Sequence, residues 1–239
     1  MLVELVNVSH EYRREPQEVS VLDSISLCIS NSEIISLLGP SGCGKSTLLK
    51  ILSRLIEPSS GERKSKLDDS KDINFVFQKP TLLRWRTTIK NILLPLELRK
   101  VEINKAAKKE CESLIYELGF KENEIHNYPS ELSVGMQHRV AIARALITKP
   151  KLLLLDEPFN SLDLLTKQAT YNLVDTLHKR HRFAMLLVTH DVLEAVQFSD
   201  RIILLSEKPA RIILNDTTKP YQDKNELVKK IKNNMNNTK

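Results

Sequence analysis

Glycine is scarce in this chain, with six in 239 residues, well under the average use of about 7%. Cysteine is scarcer: Cys28, Cys43 and Cys111 are odd in number and scattered. That excludes a disulfide framework and a thiolate metal site, and it points to free thiols in a reducing compartment. No apolar stretch approaches the roughly 18 residues needed to cross a bilayer. Met1-Leu2-Val3-Glu4 carries no basic segment ahead of an apolar core, so no signal peptide is expected. Aromatics are only 5% of residues, and the net charge of +6 is spread along the chain. This fits solvated lysine faces, and no nucleic-acid partner is expected. The 41% apolar and 28% charged content is ordinary for a globular protein. A chain of 239 residues suits one large α/β domain, or one domain carrying an insertion.

The glycines that are present are concentrated. Three of the six fall in Gly39-Pro40-Ser41-Gly42-Cys43-Gly44, followed at once by Lys45, Ser46 and Thr47. The apolar run Ile34 to Leu38 precedes them and Leu48-Leu49 follows. This is G-x-x-x-x-G-K-S between a strand and a helix, the context that distinguishes a phosphate loop from a chance match. Backbone N–H groups can turn inward to cradle phosphate oxygens only where no side chain blocks them. A helix starting near Lys45 adds its positive dipole end. Lys45 is expected to reach the outer phosphates of a nucleotide, and the Ser46 hydroxyl to ligate Mg²⁺. Cys43 matters there for its N–H rather than its sulfur.

Around that loop the pattern alternates. Leu2–Val8, Ser20–Ile29 and Ile34–Leu38 read as strands, with a turn at Asn31-Ser32. The helix after the loop is expected to end around Glu57-Pro58-Ser59-Ser60-Gly61, and Ile73–Phe77 is a further short strand. From about Lys79 to Lys149 the pattern is helical, with an apolar stripe of Ala107, Cys111, Leu114, Ile115 and Leu118 closed by Gly119. Leu152–Leu155, Ala184–Val188 and Ile202–Leu205 are strands. Between the first two of these lies a helix with Leu165, Ala169, Leu173 and Leu177 on one stripe. Strands separated by helices predict a mainly parallel sheet covered on both faces. The expected division is a nucleotide-binding core over 1–78, a helical subdomain over 79–149, core again over 150–215, and a loosely held polar tail over 216–239.

Further residues would complete a hydrolytic site. Asp156 and Glu157 end the apolar Leu152–Leu155 run, where an acid lies near the phosphate loop. Asp156 suits Mg²⁺, directly or through water. Glu157 suits the general base that polarises the attacking water. His190 ends the Met185–Thr189 run and is either structural or a partner of a γ-phosphate. Gln78, after Ile73–Phe77, could ligate Mg²⁺ or its water. Tyr12 is either a surface aromatic or a ring that stacks on adenine.

Gly39–Thr47, Gln78, Leu132-Ser133-Val134-Gly135-Met136, Leu152–Glu157, Ser161-Leu162-Asp163 and His190 occur in the order seen in ATP-binding-cassette ATPases. Over nearly its whole length the chain resembles a nucleotide-binding subunit of such a transporter. The resemblance implies an α/β P-loop NTPase core, with an N-terminal antiparallel β subdomain and an inserted helical subdomain. It makes Tyr12 the adenine-stacking aromatic, Gln78 the Q-loop glutamine, Asp163 the D-loop acid and His190 the switch histidine. It also implies two copies sandwiching two ATP molecules, with Ser133 and Gly135 of one copy on the γ-phosphate held by Lys45 of the other. Permease subunits, a solute-binding protein and a peripheral place on the cytoplasmic face of the membrane follow by the same resemblance.

The Gln78–Trp85 and Asn91–Leu96 segments, Gly135-Met136, and Asp200-Arg201-Ile202 with Pro209–Ile212 resemble the nitrate/sulfonate/taurine importer group. Trp85, Leu82 and Leu83 are then either a contact for the permease or core of the helical subdomain. Val134 departs from the usual Leu-Ser-Gly-Gly. It is strongly disfavoured if that position needs a positive φ, and merely bulky if it lies in a first helical turn. Reduced but not absent turnover is expected. Two rival readings are a nucleotide-binding module with little hydrolysis and a soluble cassette acting on nucleic acid or ribosomes.

Overall fold

In the computed structural model, residues 1–14, 17–160, 162–219 and 223–236 are described. In chain order the elements are β1 (Val3–Arg14), β2 (Gln17–Ile29), β3 (Ile34–Leu38), α1 (Lys45–Leu52), β4 (Ser60–Ser65), α2 (Asp69–Asp72) and β5 (Ile73–Val76). There follow α3 (Thr88–Leu98), α4 (Lys105–Glu117), α5 (Val134–Leu146), β6 (Leu152–Asp156), α6 (Leu164–His181) and β7 (Ala184–Val188). The chain continues through α7 (Val192–Phe198), β8 (Arg201–Leu205), β9 (Ile212–Thr217) and α8 (Lys224–Asn236).

Two sheets form. One is antiparallel, in the order β2-β1-β4. The other runs β5-β6-β7-β3-β8-β9 and is parallel except for β9, which returns antiparallel to β8. The inner strands β3 and β7 are buried along their whole length, as a sheet covered on both faces requires. This is the expected α/β P-loop NTPase fold. Its register fixes where the site lies: Leu37 of β3 and Asp156 of β6 both stand opposite Val188 of β7. The carboxyl ends of β3, β6 and β7 are therefore level. The phosphate loop, Glu157 and His190 all emerge along one edge of the sheet.

One apolar cluster joins α3, α4 and α5 to the sheet and α6. A second lies between the two sheets and α1. The α4 stripe packs as anticipated, with Cys111, Leu114, Ile115 and Leu118 buried.

Three expectations need correction. The helix after the phosphate loop stops at Leu52, and the polar segment Ser60–Ser65 is an edge strand on β1. Gly61 fits there because a Cβ would stand 2.3 Å from the Asn7 carbonyl oxygen, at φ +83°. On α6 the buried residues are Thr170, Tyr171, Val174, Leu177 and His178, whereas Leu165 and Ala169 are exposed. The four-residue spacing holds only in its second half, where Leu177 is buried and Leu173 packs on the core, because Leu164 and Leu165 open the helix in solvent. The C-terminal segment is not loose over its described part. There β9 completes the sheet, and α8 buries Leu227, Val228 and Ile231 against a cluster containing Val192, Ala195 and Leu204. Its lysines and asparagines cover the outer face and mask the apolar seam in the composition.

Candidate nucleotide-binding site

Gly44 turns the chain into α1 at φ +129°, and a Cβ there would stand 2.9 Å from both Val21 Cγ1 and Leu22 Cδ2. The loop is thus pressed against β2 and requires glycine at that point. Gly44, the N-cap of α1, has no side chain to cap it, which leaves first-turn N–H groups to receive an anion. Lys45 is buried, and its ammonium donates to the carbonyls of Gly39 and Pro40 at 2.8 and 2.9 Å. It also lies 4.0 Å from Glu157 Oε1.

A cavity of about 300 Å³ opens here, walled by Ser41, Gly42, Ser46, Thr47, Glu157 and, from the other sheet, Tyr12. The Tyr12 and Thr47 hydroxyls are 3.3 Å apart. The Tyr12 ring also meets His10 edge-on at 4.7 Å. This makes Tyr12 part of the cavity wall rather than a stray surface aromatic.

Burial raises the Asp156 carboxyl above the usual carboxylate range, and the neighbouring Glu157 adds to the rise. A hydrogen bond from the Ser46 hydroxyl and the charges of Lys45 and Lys50 work against it. Glu157 follows at φ +47°, a conformation that costs of order 1 kcal/mol or more for a non-glycine residue and clusters at functional sites. Its N–H donates to the Val188 carbonyl at 3.2 Å, and its carboxylate receives the Asn160 amide. Glu157 also borders a second cavity of about 450 Å³ with Gln78, Val134, His138 and Asn160.

Ser133 caps α5, with Oγ accepting from Met136 N at 3.2 Å. Val134 is the first residue of that helix, half exposed and without a positive φ. The open alternative is settled in favour of bulk rather than strain. Gly135 is buried one residue later. Asp163 caps α6, accepting from Thr166 N at 3.0 Å, and the Thr166 hydroxyl, then that N–H, hold its carboxyl below the usual range. Ser161 lies outside the described residues.

His190 is exposed just past β7. Beneath it the Thr189 hydroxyl donates to Glu194 Oε2 at 3.0 Å, and the Tyr171 hydroxyl donates to the same atom at 2.7 Å. Lys167 pairs with the other oxygen of Glu194. Burial, then the Glu194 charge, push the Tyr171 phenol well up.

Within one chain, then, Tyr12, the loop 39–47, Asp156 and Glu157 come together. Gln78 reaches Glu157 only through the second cavity, while Ser133, Gly135, Asp163 and His190 do not line the phosphate-loop cavity. Sequence reasoning missed Asn160, Lys208 and the Lys167–Glu194–Tyr171 group. Asn160 was findable as the polar residue three positions after Glu157. The others stand near Asp163, His190 and Pro209 in the chain but carried no signal of their own.

A family model for ABC transporters matches residues 22–160. This chain belongs to that family. It is 40% identical over 190 residues to the aliphatic sulfonates import ATP-binding protein SsuB 1 of Burkholderia lata, covering 79% of this chain and 57% of that protein. To the SsuB protein of Burkholderia thailandensis it is 40% identical over 205 residues, covering 85% of this chain and 58% of the relative. The chain thus spans less than two thirds of the length of these curated relatives. Among solved structures, the ATP-binding cassette MJ0796, a dimer in a post-hydrolysis state bound to ADP and Pi, is similar at 30% identity. Its TM-score is 0.81, with 91% of this chain and 99% of that one covered.

Proposed function

We propose that this chain is the ATP-binding and ATP-hydrolysing subunit of an ABC importer for a small solute of the nitrate, sulfonate or taurine type. The observation that carries this is the meeting of Lys45, Ser46 and Glu157 in a cavity that also holds Tyr12, with Asp156 beside Ser46 at the same sheet edge. Loop N–H groups and Lys45 bind the phosphates. Tyr12 stacks on the base. Glu157 accepts the proton of the water that attacks the γ-phosphorus, and Asn160 orients that carboxylate.

Among the described residues no cluster of three or more His, Cys, Asp or Glu could hold a metal alone. That fits Mg²⁺, which is commonly held by one or two protein oxygens together with substrate phosphates. The Ser46 hydroxyl and Asp156, which are near neighbours, are the donors that would hold it, with Gln78 as a further one. Bound there, Mg²⁺ would neutralise phosphate charge.

Ser133, Gly135, Asp163 and His190 do not line the chain's own phosphate-loop cavity. This supports a head-to-tail pair in which Ser133 and Gly135 of one copy complete the other's site. Asp163 would then lie along the seam and His190 would meet the γ-phosphate. ATP binding closes the pair and hydrolysis opens it, and that differential affinity drives a permease. Trp85 is 74% exposed, which favours the permease contact over the core role. Leu82 lines the adjoining groove between Lys79 and Gln137.

Among the described residues no helix is long and apolar enough to cross a membrane, so the membrane association proposed is peripheral, on the cytoplasmic face. A solute-binding protein would supply the cargo. The divisions at 78, 149 and 215 are proposed as boundaries of core, helical subdomain and C-terminal segment.

The test is phosphate release by the wild type beside Glu157→Gln. A loss of about a hundredfold or more, with ATP affinity retained, is expected. A wild type that binds ATP but releases no more phosphate than Glu157→Gln would make the chain a binding module.

A further inference from the structure

Of the residues that line the phosphate-loop cavity, two carry a positive charge, Lys45 and Lys208. Lys45 is buried and already engaged with the Gly39 and Pro40 carbonyls. Lys208 is exposed, and among the described residues it has no hydrogen bond or ion pair. It reaches the cavity from the connection between β8 and β9, far in sequence from the phosphate loop.

That connection is held firmly. Ala210, fully buried, donates to the Val21 carbonyl at 2.8 Å, and its own carbonyl accepts from Asp23 N at 3.0 Å. Arg211 Nε donates to Asp23 Oδ2 at 2.8 Å. Within the connection Ser206 N donates to the Arg211 carbonyl at 2.9 Å, and Arg211 N donates to Ser206 Oγ at 2.9 Å. The anchor residue Val21 is also the one against which Gly44 is pressed. Val21 lies two residues from Val19, the cross-strand partner of Tyr12. Tyr12, Val21 and Lys208 all line the phosphate-loop cavity.

We propose that Lys208 is a second cation for the bound nucleotide. Its ammonium acts on the phosphate charge from the Tyr12 side, where Lys45 does not reach. This rests on the ATP-site reading and adds to it a contact residue from outside the loop. A free lysine on a short, pinned connection loses little chain entropy on meeting a ligand. An ammonium facing a triphosphate is worth more than a neutral contact, though solvent exposure screens it.

The experiment is equilibrium binding of ATP to the full chain in EDTA, so that turnover plays no part, read by displacement of a fluorescent ATP analogue. Lys208→Ala should weaken Kd about three- to tenfold. Lys208→Glu should weaken it further, and Lys208→Arg should bind nearly as the wild type does. The gap should narrow in high salt. Lys45→Ala in the same assay marks the loss of an established type of phosphate contact. If Lys45→Ala binds weakly while Lys208→Ala and Lys208→Glu match the wild type, the ATP site stands and the role of Lys208 falls. A gap indifferent to salt, or Lys208→Arg as weak as Lys208→Ala, overturns the charge mechanism. A wild type that binds no ATP removes the site itself and Lys208 with it.

Discussion

A Cβ placed on Gly135 would stand 2.8 Å from Cγ2 of Thr166, with Leu162 Cδ2 behind it at 3.4 Å. The first turn of α5 therefore rests directly on the first turn of α6, and the caps Ser133 and Asp163 belong to helices in contact. Gly135→Ala should cost about 1–3 kcal/mol by overpacking. Thr166→Ser removes the offending methyl, so the double variant Gly135→Ala/Thr166→Ser should recover most of that loss in urea unfolding. If the second change restores nothing, the contact is not what makes glycine necessary there.

Val134 sits one residue earlier, in ordinary helical conformation and half exposed. Its isopropyl group adds bulk to the surface that a second copy would present to ATP. Val134→Gly should raise phosphate release in the assembled transporter roughly two- to tenfold, equivalent to about 1 kcal/mol of barrier. The same change should lower stability by under about 1 kcal/mol, the usual cost of glycine in a helix. Unchanged turnover would mark the valine as neutral.

The buried group below His190 offers a separate test. Glu194 takes hydrogen bonds from Tyr171 and Thr189 and pairs with Lys167. Glu194→Ala leaves the Lys167 ammonium, only 15% exposed, without that partner, and should cost about 3 kcal/mol. Tyr171→Phe removes one bond and keeps the ring on Phe198, which it stacks at 4.2 Å, so about 1–2 kcal/mol is expected. Chemical denaturation ranks the two. Equal losses would mean that the Tyr171 hydrogen bond, not the Lys167 charge pair, is what Glu194 contributes.

What could be foreseen from sequence divides along physical lines. The loop 39–47 was legible because all its chemistry is contiguous and its flanks have opposite periodicities. Asp156 and Glu157 were legible because a fully buried strand ends in charge. The edge strand Ser60–Ser65 was not, since it has almost no buried side chain and is held by pairing with β1. Lys208 is brought to the cavity by bonds such as those of Ala210 to Val21 and Asp23, which no local pattern encodes. Gly135 was singled out for the nucleotide, but its packing against Thr166 depends on how two helices meet.

Asp156 sets stability against function. Burial raises its native carboxyl above the ordinary value, so the native state holds a proton more tightly than the unfolded chain. Stability is therefore lost as pH rises through the raised native value and regained as pH falls back below it. Asp156→Asn carries no charge to desolvate. The ligand-free variant should melt above the wild type at pH 7, with the difference shrinking on acidification. With Mg²⁺ and ATP the order should reverse, because the wild type gains binding energy that the variant has largely lost. Phosphate release by Asp156→Asn should fall at least about a hundredfold. Thermal melts at two pH values, with and without Mg²⁺–ATP, check both halves. A ligand-free variant less stable than the wild type at pH 7 would show that the Ser46 hydrogen bond and the nearby lysines outweigh the burial of the charge.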